Sequence, residues 1–541
     1  MMPTNCVGTS GSRKENVGLS RMDIANFQSV LFPFETIPDE IDRQTEPAYF
    51  PDLNLDQVVR VVMTGRAEYN LRPFFYWPCR NVGSVRYRHD IFRDLERREL
   101  RASVERFAEV MRSLRGRMVR ADSMYYKRQK QRCLLDAVNV YIEGVRRFVS
   151  ELGAAEPEAE GMRALLSYVS VCIGSIEFRE MEGTAQHLIA ELGRIRYALQ
   201  IHGKRVTVRR YEPEPDYSAD VLETFEKFRQ GAGKEYRFKS RPPVEMNHVE
   251  AAILDRVALL YPGTFAALAD FCERYRGYMD AALVRFDREV QFYLAWLEHV
   301  DRFKDSGLAF CYPEVSSVSK EIHAEDGFDL ALAEARREEG QSVVTNSFSL
   351  SGEERVLVVT GPNQGGKTTF ARMFGQLHFL AALGCPVPAR NACLFLCDQL
   401  FTHFERGEVV ENLRGKLEDE LLRIRQIMEE ATSQSILIMN ESFLSTTLDD
   451  ALFLSRKTME KIVERDMLCV SVTFLDEMSR VKSAVSMVGE VDARDPSRRT
   501  FRIVRRPADG LAYAMTIAKK YGLTRDEIQT RITENAERSG K

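Results

Sequence analysis

Nowhere in the 541 residues do about 18 apolar residues run together, so no membrane-spanning helix is expected. The opening stretch, with Thr4, Asn5, Ser10, Arg13, Lys14 and Glu15, lacks the apolar centre of a secretory signal. The ten cysteines include no C-x-x-C pair, which argues against a zinc site or a disulfide framework. Cys385, Cys393 and Cys397 lie near one another in sequence, but their uneven spacing and apolar neighbours read as ordinary buried thiols. An excess of one charge is missing too: 76 Lys and Arg against 80 Asp and Glu leave a formal −4. That balance gives no global attraction to nucleic acid or to an anionic membrane, so any DNA binding rests on a local patch. The cytoplasm is the expected compartment.

Hydrophobic residues make up 44% of the chain and charged residues 29%, and the length predicts two to four domains. Residues 1–50 read as an N-terminal arm, loosely ordered around Pro33 and Pro38, and residues 51–330 as mostly helical. Between 91 and 111, Ile91, Phe92, Leu95, Leu100, Val104, Phe107, Val110 and Met111 recur at helical spacing with arginines between them. The spacing predicts one amphipathic helix with a basic face. Val206 and Val208 alternate with Thr207 and Arg209 as in a short strand, closed by Pro213 and Pro215, and a loop rich in Gly, Lys, Arg and Pro follows at 231–243. After Pro262, apolar positions from Phe265 to Val300 step by three or four, predicting a single helix of roughly 40 residues and about 60 Å. Such a helix suits the transmission of movement; the alternative is a coiled-coil or solenoid helix packed for stability alone. The run Arg112, Arg115, Arg117, Arg120, Lys127, Arg128, Lys130 and Arg132, with Tyr125 and Tyr126 interleaved, reads either as a patch that neutralises phosphates or as a solvated helix face.

From about Gln341 short β-rich runs alternate with helices. Residues 355–360, 435–439 and 468–472 read as buried strands of an α/β nucleotide-binding core, which makes the whole chain α + α/β. The segment Gly361-Pro362-Asn363-Gln364-Gly365-Gly366-Lys367-Thr368 fits G-x-x-x-x-G-K-[ST] between a strand and a helix starting near Lys367. Its glycines permit a tight path whose N–H groups surround phosphates, and the helix N-terminus adds positive potential. Lys367 neutralises β and γ charge, and Thr368 is the expected Mg²⁺ ligand, with ATP the expected nucleotide. Downstream, 435–439 leads into Asn440 and Glu441. Glu441 is the candidate general base, and Asn440, where an Asp is usual, accepts a hydrogen bond from metal-bound water without adding charge to hold Mg²⁺. Slow hydrolysis is expected.

The loop from Gly361 to Thr369 resembles the GPNMGGKST loop of MutS-like mismatch-repair ATPases, and Pro362-Asn363 sets it apart from most other phosphate loops. Asn346 resembles the first member of that family's Asn-Asp pair, with Ser347 replacing the Asp. Gly384-Cys-Pro-Val-Pro-Ala389 resembles G-x-x-V-P-A, and Asp398-Gln-Leu-Phe-Thr402 resembles D-x-I-F-T. Glu420 and Ala431-Thr432 fall in register with its signature helix, Thr446, Thr447 and Asp450 with the residues after its second acidic motif. Leu53-Asn-Leu-Asp56 and the helix from about 264 look like its core and lever region. The resemblance implies a P-loop, ABC-type ATPase domain at 331–541 that binds ATP and Mg²⁺, a helical core/lever domain at 51–330, and a dimer. It also implies that the mismatch-reading domain is absent, because only about 50 residues precede the lever-like part, and that 204–243 is a short clamp remnant. Three departures touch the mechanism. Gly415 stands where the family's signature serine reaches the partner's γ-phosphate, leaving backbone N–H or Lys416 as substitutes. Asn440 replaces the Asp, and Thr473-Phe474 replaces a Thr-His pair, so the histidine that senses the γ-phosphate is gone.

Two functions from different classes follow. One is an ATP-dependent DNA-binding dimer in repair or recombination that does not read mismatches. The other is a nucleotide-gated partner of a paralogous MutS-like subunit, the two dividing the site residues between them. A metabolic kinase sharing the loop needs an acceptor base and a small-molecule pocket that the sequence does not offer.

Overall fold

The computed structural model describes residues 27–33, 41–213, 223–224, 246–405, 415–492, 499–508, 524–525 and 528–529. These divide into two compact units, each discontinuous in sequence. The first takes in 116–153 and 163–277, and the second 29–115, 154–162 and the residues from 278 onward. In chain order the elements are α1 (Leu55–Val62), α2 (Arg72–Phe75), α3 (Val82–Glu96), α4 (Arg98–Ser123), α5 (Lys127–Ala154), α6 (Glu160–Gly174), α7 (Ile176–Arg194), β1 (Tyr197–His202) and β2 (Arg205–Arg210). Then come α8 (His248–Leu260), α9 (Pro262–Arg274), α10 (Ala281–Asp301), β3 (Glu314–Ser316), β4 (Ile322–Gly327), α11 (Leu330–Glu338), β5 (Asn346–Leu350) and β6 (Val356–Thr360). The rest are α12 (Lys367–Ala382), β7 (Asn391–Phe395), β8 (Leu400–Phe404), α13 (Lys416–Glu430), β9 (Ile436–Asn440), α14 (Leu448–Glu464), β10 (Leu468–Val472), β11 (Ala484–Val491) and β12 (Arg499–Arg505).

The first unit is helical apart from the antiparallel pair β1–β2, which bears out the strand read at 206–208. Its α8 begins with a capping box: Asn247 Oδ1 accepts from the N–H groups of Val249 and Glu250, and the Glu250 carboxylate accepts from Asn247 N at 2.9 Å. Val257, Ala258 and Phe265 form a small buried cluster with Leu192, Ile195, Val208 and Tyr261 against it. The Gly231–Pro243 loop, and most of the clamp remnant expected at 204–243, lie outside the described residues.

The second unit is built on a six-stranded sheet in the order β12-β11-β6-β10-β9-β8, parallel except for the β11–β12 hairpin. Strands β6, β9 and β10 are buried along their whole length, as their unbroken apolar runs require for a sheet covered on both faces. A four-stranded sheet, β3-β7-β4-β5, accompanies it. Helix α12 is buried almost all round, and Gln376 within it ties two segments together: its Nε2 donates to Leu53 O and to Asp329 Oδ1, both at 2.9 Å. The segment at 53–56 thus packs with the α/β domain. Val356, Val358, Leu437, Met439 and Cys469 of the sheet meet Ile424, Ile427, Met459 and Ile462 of α13 and α14 in one apolar core.

Three sequence expectations fail, each for a local reason. The long helix from 262 to 300 is two helices, α9 and α10, because Asp280 caps a new N-terminus by accepting from Leu283 N at 3.0 Å, with Gly277 in the gap. The apolar spacing continues through that gap and conceals it. The helix expected at 91–111 likewise stops at Arg97, whose ψ of 120° is extended. There Asp94 accepts from the backbone of Glu158 and Ala159, and Arg97 donates to Ala155 O and Glu156 O. Finally, residues 29–33 are not a loose arm: Val30 and Leu31 are fully buried, and the Glu289 carboxylate accepts from Ser29 Oγ at 2.8 Å and Val30 N at 2.9 Å. Of the rest of the expected arm, 1–26 and 34–40 lie outside the described residues. No single helix among the described residues is long and apolar enough to cross a membrane; α8 and α9 reach that length only together, and a 108° bend separates them.

Candidate functional site

The carboxyl ends of β6, β9 and β10 lie side by side, since β10 pairs in parallel with both of the others. Loops leaving those ends therefore converge, as is usual at a parallel sheet's binding edge. Thr360 ends β6, the glycine-rich loop follows, and α12 starts at Lys367 as the motif predicts. Two of the loop's glycines have left-handed backbone. Gly361 has φ of +124°, and a Cβ on it would come within 2.9 Å of Gly489 N and 3.1 Å of its Cα; Gly366, with φ of +92°, immediately precedes α12.

A cavity of about 490 Å³ opens at this edge. Gln364, Gly365, Gly366, Lys367, Thr368, Thr369 and Glu441 line it, so most of the residues chosen from sequence meet at one place. Thr368 Oγ1 donates to Asn440 Oδ1 at 3.0 Å, which brings the two expected metal-side groups together. Gly361, Pro362 and Asn363 stand behind the wall: the first two offer carbonyls to Lys367 Nζ at 3.0 and 3.2 Å, and Asn363 O accepts from Arg499 Nε at 3.3 Å. Lys367 is 4% exposed. Burial pulls its ammonium below the usual lysine value, with Arg499 acting the same way and Glu441 opposing both. Its Nζ also sits 4.7 Å from the centre of the Phe474 ring, so the residue in place of the expected histidine faces the loop lysine through a cation–π contact.

Sequence reading missed the far wall. Leu332 and Arg336 of α11, Ser342, Val343, Val344 and Phe501 complete the cavity. Phe501 arrives from β12, held because Asn346 Nδ2 donates to its carbonyl at 3.2 Å while Asn346 Oδ1 accepts from Ile503 N at 2.7 Å. Asn346 therefore both lines the site and fastens the hairpin. No local pattern in 332–344 or around 501 signals a site.

The other motif residues lie outside the cavity lining. Asp398 accepts from Thr432 Oγ1 at 2.5 Å and Ser435 Oγ at 2.8 Å, fixing the start of β9. Thr447 caps α14, and Thr446 and Thr447 both donate to Asp450 Oδ2. Glu420, buried in α13, accepts from Phe443 N at 3.0 Å. Gly415 precedes α13 with open space where a side chain would project, and Lys416 Nζ is engaged with Glu405 at 2.5 Å. Cys385 is buried whereas Cys393 and Cys397 are partly so, and burial raises all three thiols above their ordinary value.

The basic run is divided between the two units. In the second unit Arg112 pairs with Glu68 at 2.8 Å, and Arg115 pairs with the buried Asp287. In the first unit Arg132 pairs with Asp136 at 2.9 Å, Arg128 lies 4.0 Å from Asp255, and Lys130 Nζ donates to Asp122 O at 3.0 Å. Arg117, Lys127 and Lys130 line a second cavity of about 490 Å³ whose wall also carries Asp122, Asp270 and Glu273. Among the described residues Arg117, Arg120 and Lys127 have no acidic partner.

Residues 357–534 match the family described as MutS domain V. The chain is similar to the DNA mismatch repair protein MutS of Aquifex pyrophilus, 28% identical over 231 residues that cover 41% of this chain and 27% of that protein. It is 27% identical to the DNA mismatch repair protein MutS of Clostridium kluyveri over 235 residues, 42% of this chain and 26% of the other. To Endonuclease MutS2 of Thermus thermophilus it is 26% identical over 189 residues, 34% and 25% of the two chains. The matched stretch thus spans about a quarter of the length of these relatives.

Proposed function

We propose that this chain, a MutS-family member through its α/β domain, is a slow, Mg²⁺-dependent ATPase that works as a dimer on DNA in repair or recombination without reading mismatches. The observation that carries the reading is the single cavity shared by Gln364 to Thr369 and Glu441, with Thr368 hydrogen-bonded to Asn440 beside it. The loop's N–H groups and the α12 N-terminus suit a polyphosphate. Lys367, now resting on the carbonyls of Gly361 and Pro362, is placed to exchange them for phosphate oxygens. The Thr368 hydroxyl and Asn440 amide oxygen suit a hydrated Mg²⁺, which takes few protein ligands; when bound, the ion neutralises charge on the phosphates. Glu441 then accepts the proton of the attacking water as the γ-phosphoryl leaves the β-phosphate, giving ADP and inorganic phosphate. Asn440 brings no charge to the metal and Phe474 brings no hydrogen bond to the γ-phosphate, so turnover is slow.

A second reading, a nucleotide-gated partner of a MutS-like paralogue, is favoured by the acidic partners taken by Arg112, Arg115 and Arg132. Steady-state ATPase assays on the pure chain, with branched, nicked and homoduplex DNA at two salt concentrations and the oligomeric state measured alongside, separate the two. Failure to bind any DNA at low salt, with or without ATP, removes the DNA reading; co-purification of a paralogue without nucleic acid supports the second. Replacing Glu441 by Gln is expected to lower turnover by about 10² to 10⁴ while ATP binding persists. Undiminished turnover would falsify its role as base.

A further inference from the structure

The segment after β9 is bent in an unusual way. Glu441 and Phe443 both have left-handed backbone, with φ of +54° and +64°, a conformation that disfavours residues with a side chain. Such a path persists only where surrounding contacts over-determine it. Glu441 N donates to Val472 O at 2.9 Å. The Phe443 N–H is held by the Glu420 carboxylate at 3.0 Å, its ring is fully buried among Ile424, Met439 and their neighbours, and between the two bends Ser442 Oγ is hydrogen-bonded to His403 Nδ1 at 2.9 Å. The His403 ring is itself buried and lies 6.2 Å from that of Phe443. None of Glu420, Ser442 and His403 lines the cavity.

We infer that Glu420 and the His403–Ser442 pair are positioning residues: by holding the double left-handed bend at 441–443 they aim the Glu441 carboxylate at the water that attacks ATP. The inference rests on the ATPase reading proposed above. Its logic is geometric. The bend would relax toward ordinary backbone once a contact is removed, and a general base displaced by about 1 Å loses roughly a hundredfold in rate. Glu420 also extends the set-up to α13, so the helix that starts beside Gly415 is joined by one hydrogen bond to the residue following the base by two places.

The test compares wild type with Glu420→Leu, Glu420→Gln, Ser442→Ala and Ser442→Thr in the full chain. The readouts are steady-state kcat and KM, binding of a fluorescent ATP analogue, and thermal unfolding. Glu420→Leu and Ser442→Ala are expected to lower kcat roughly tenfold to a hundredfold with KM and analogue affinity unchanged. Glu420→Gln keeps an acceptor for Phe443 N, and Ser442→Thr keeps the hydroxyl, so both restore most of the rate. Wild-type turnover matched by all four variants overturns the inference alone, as does a loss in which kcat falls only in step with unfolding and the conservative variants give no rescue. A wild type that binds the analogue but never turns ATP over removes the ATPase reading and this inference with it.

Discussion

The polar groups at the ends of β6, β9 and β10 and the basic run of α4 and α5 are both conspicuous in sequence, yet they behave in opposite ways. At the strand ends each group meets another from a distant part of the chain: Thr368 meets Asn440, and Lys367 meets Phe474. Along the helices most cations find an acid nearby or join a cavity of mixed charge. A motif specified by backbone geometry survives folding as a site, whereas a motif specified by charge alone is largely absorbed by local pairing.

The sharpest way to break this comparison is Lys367→Ala, which is expected to weaken ATP binding by about a hundredfold or more, since it removes charge-assisted contacts to phosphate; unchanged affinity of a fluorescent ATP analogue would mean that the strand-end groups do not act together. Burial by itself does not mark function, and Glu289 shows why. Burial pushes its carboxyl up from 4.5 to about 7, against the hydrogen bonds from Ser29 and Val30 that pull it down. The folded state therefore holds this proton more tightly than the unfolded state, and the stability so gained is present below pH 4.5 and lost as pH rises through about 7. Glu289→Gln keeps an acceptor for both donors, so its unfolding free energy relative to wild type should rise by about 3 kcal/mol between pH 4.5 and 8, with ATP binding unaffected. Denaturant curves at the two pH values check this, and a flat difference refutes it.

A smaller effect is expected at Phe474. Phe474→His offers the γ-phosphate a donor and should raise kcat roughly tenfold, the size of a hydrogen bond to a charged group; no gain would place the slow step elsewhere. Smallest of all is the double change Arg120→Glu with Lys127→Glu. If these exposed cations meet DNA phosphates, the slope of log affinity against log salt should fall in magnitude by about two. Equal slopes leave the run as a solvated face.

What was legible in sequence follows the same division. The strand, loop and helix at 356–382 declare themselves within about 25 residues, and Asn440 and Glu441 end an apolar run that is plainly a buried strand. Phe501, Arg336 and Val343 are invisible to such reading, because they reach the cavity from β12, from α11 and from the segment between α11 and β5 rather than through any nearby pattern. The double bend at 441–443 is hidden for another reason: phenylalanine at a left-handed position contradicts local preference and is tolerated only by tertiary contacts. The breaks at Arg97 and 275–280 were concealed by apolar spacing that runs on across a cap.

The close approach of Gly361 to Gly489 carries a consequence for heredity. Val488 stands opposite Thr360 in the β6–β11 pairing, so neither backbone can withdraw without opening the sheet. A side chain gained at position 361 collides with main chain at 489, and no later substitution at 489 can compensate, because that residue already has nothing left to remove. Among descendants of this gene position 361 should therefore stay glycine whatever stands at 489, where a Cβ would meet only ordinary contacts at 3.5 Å or more.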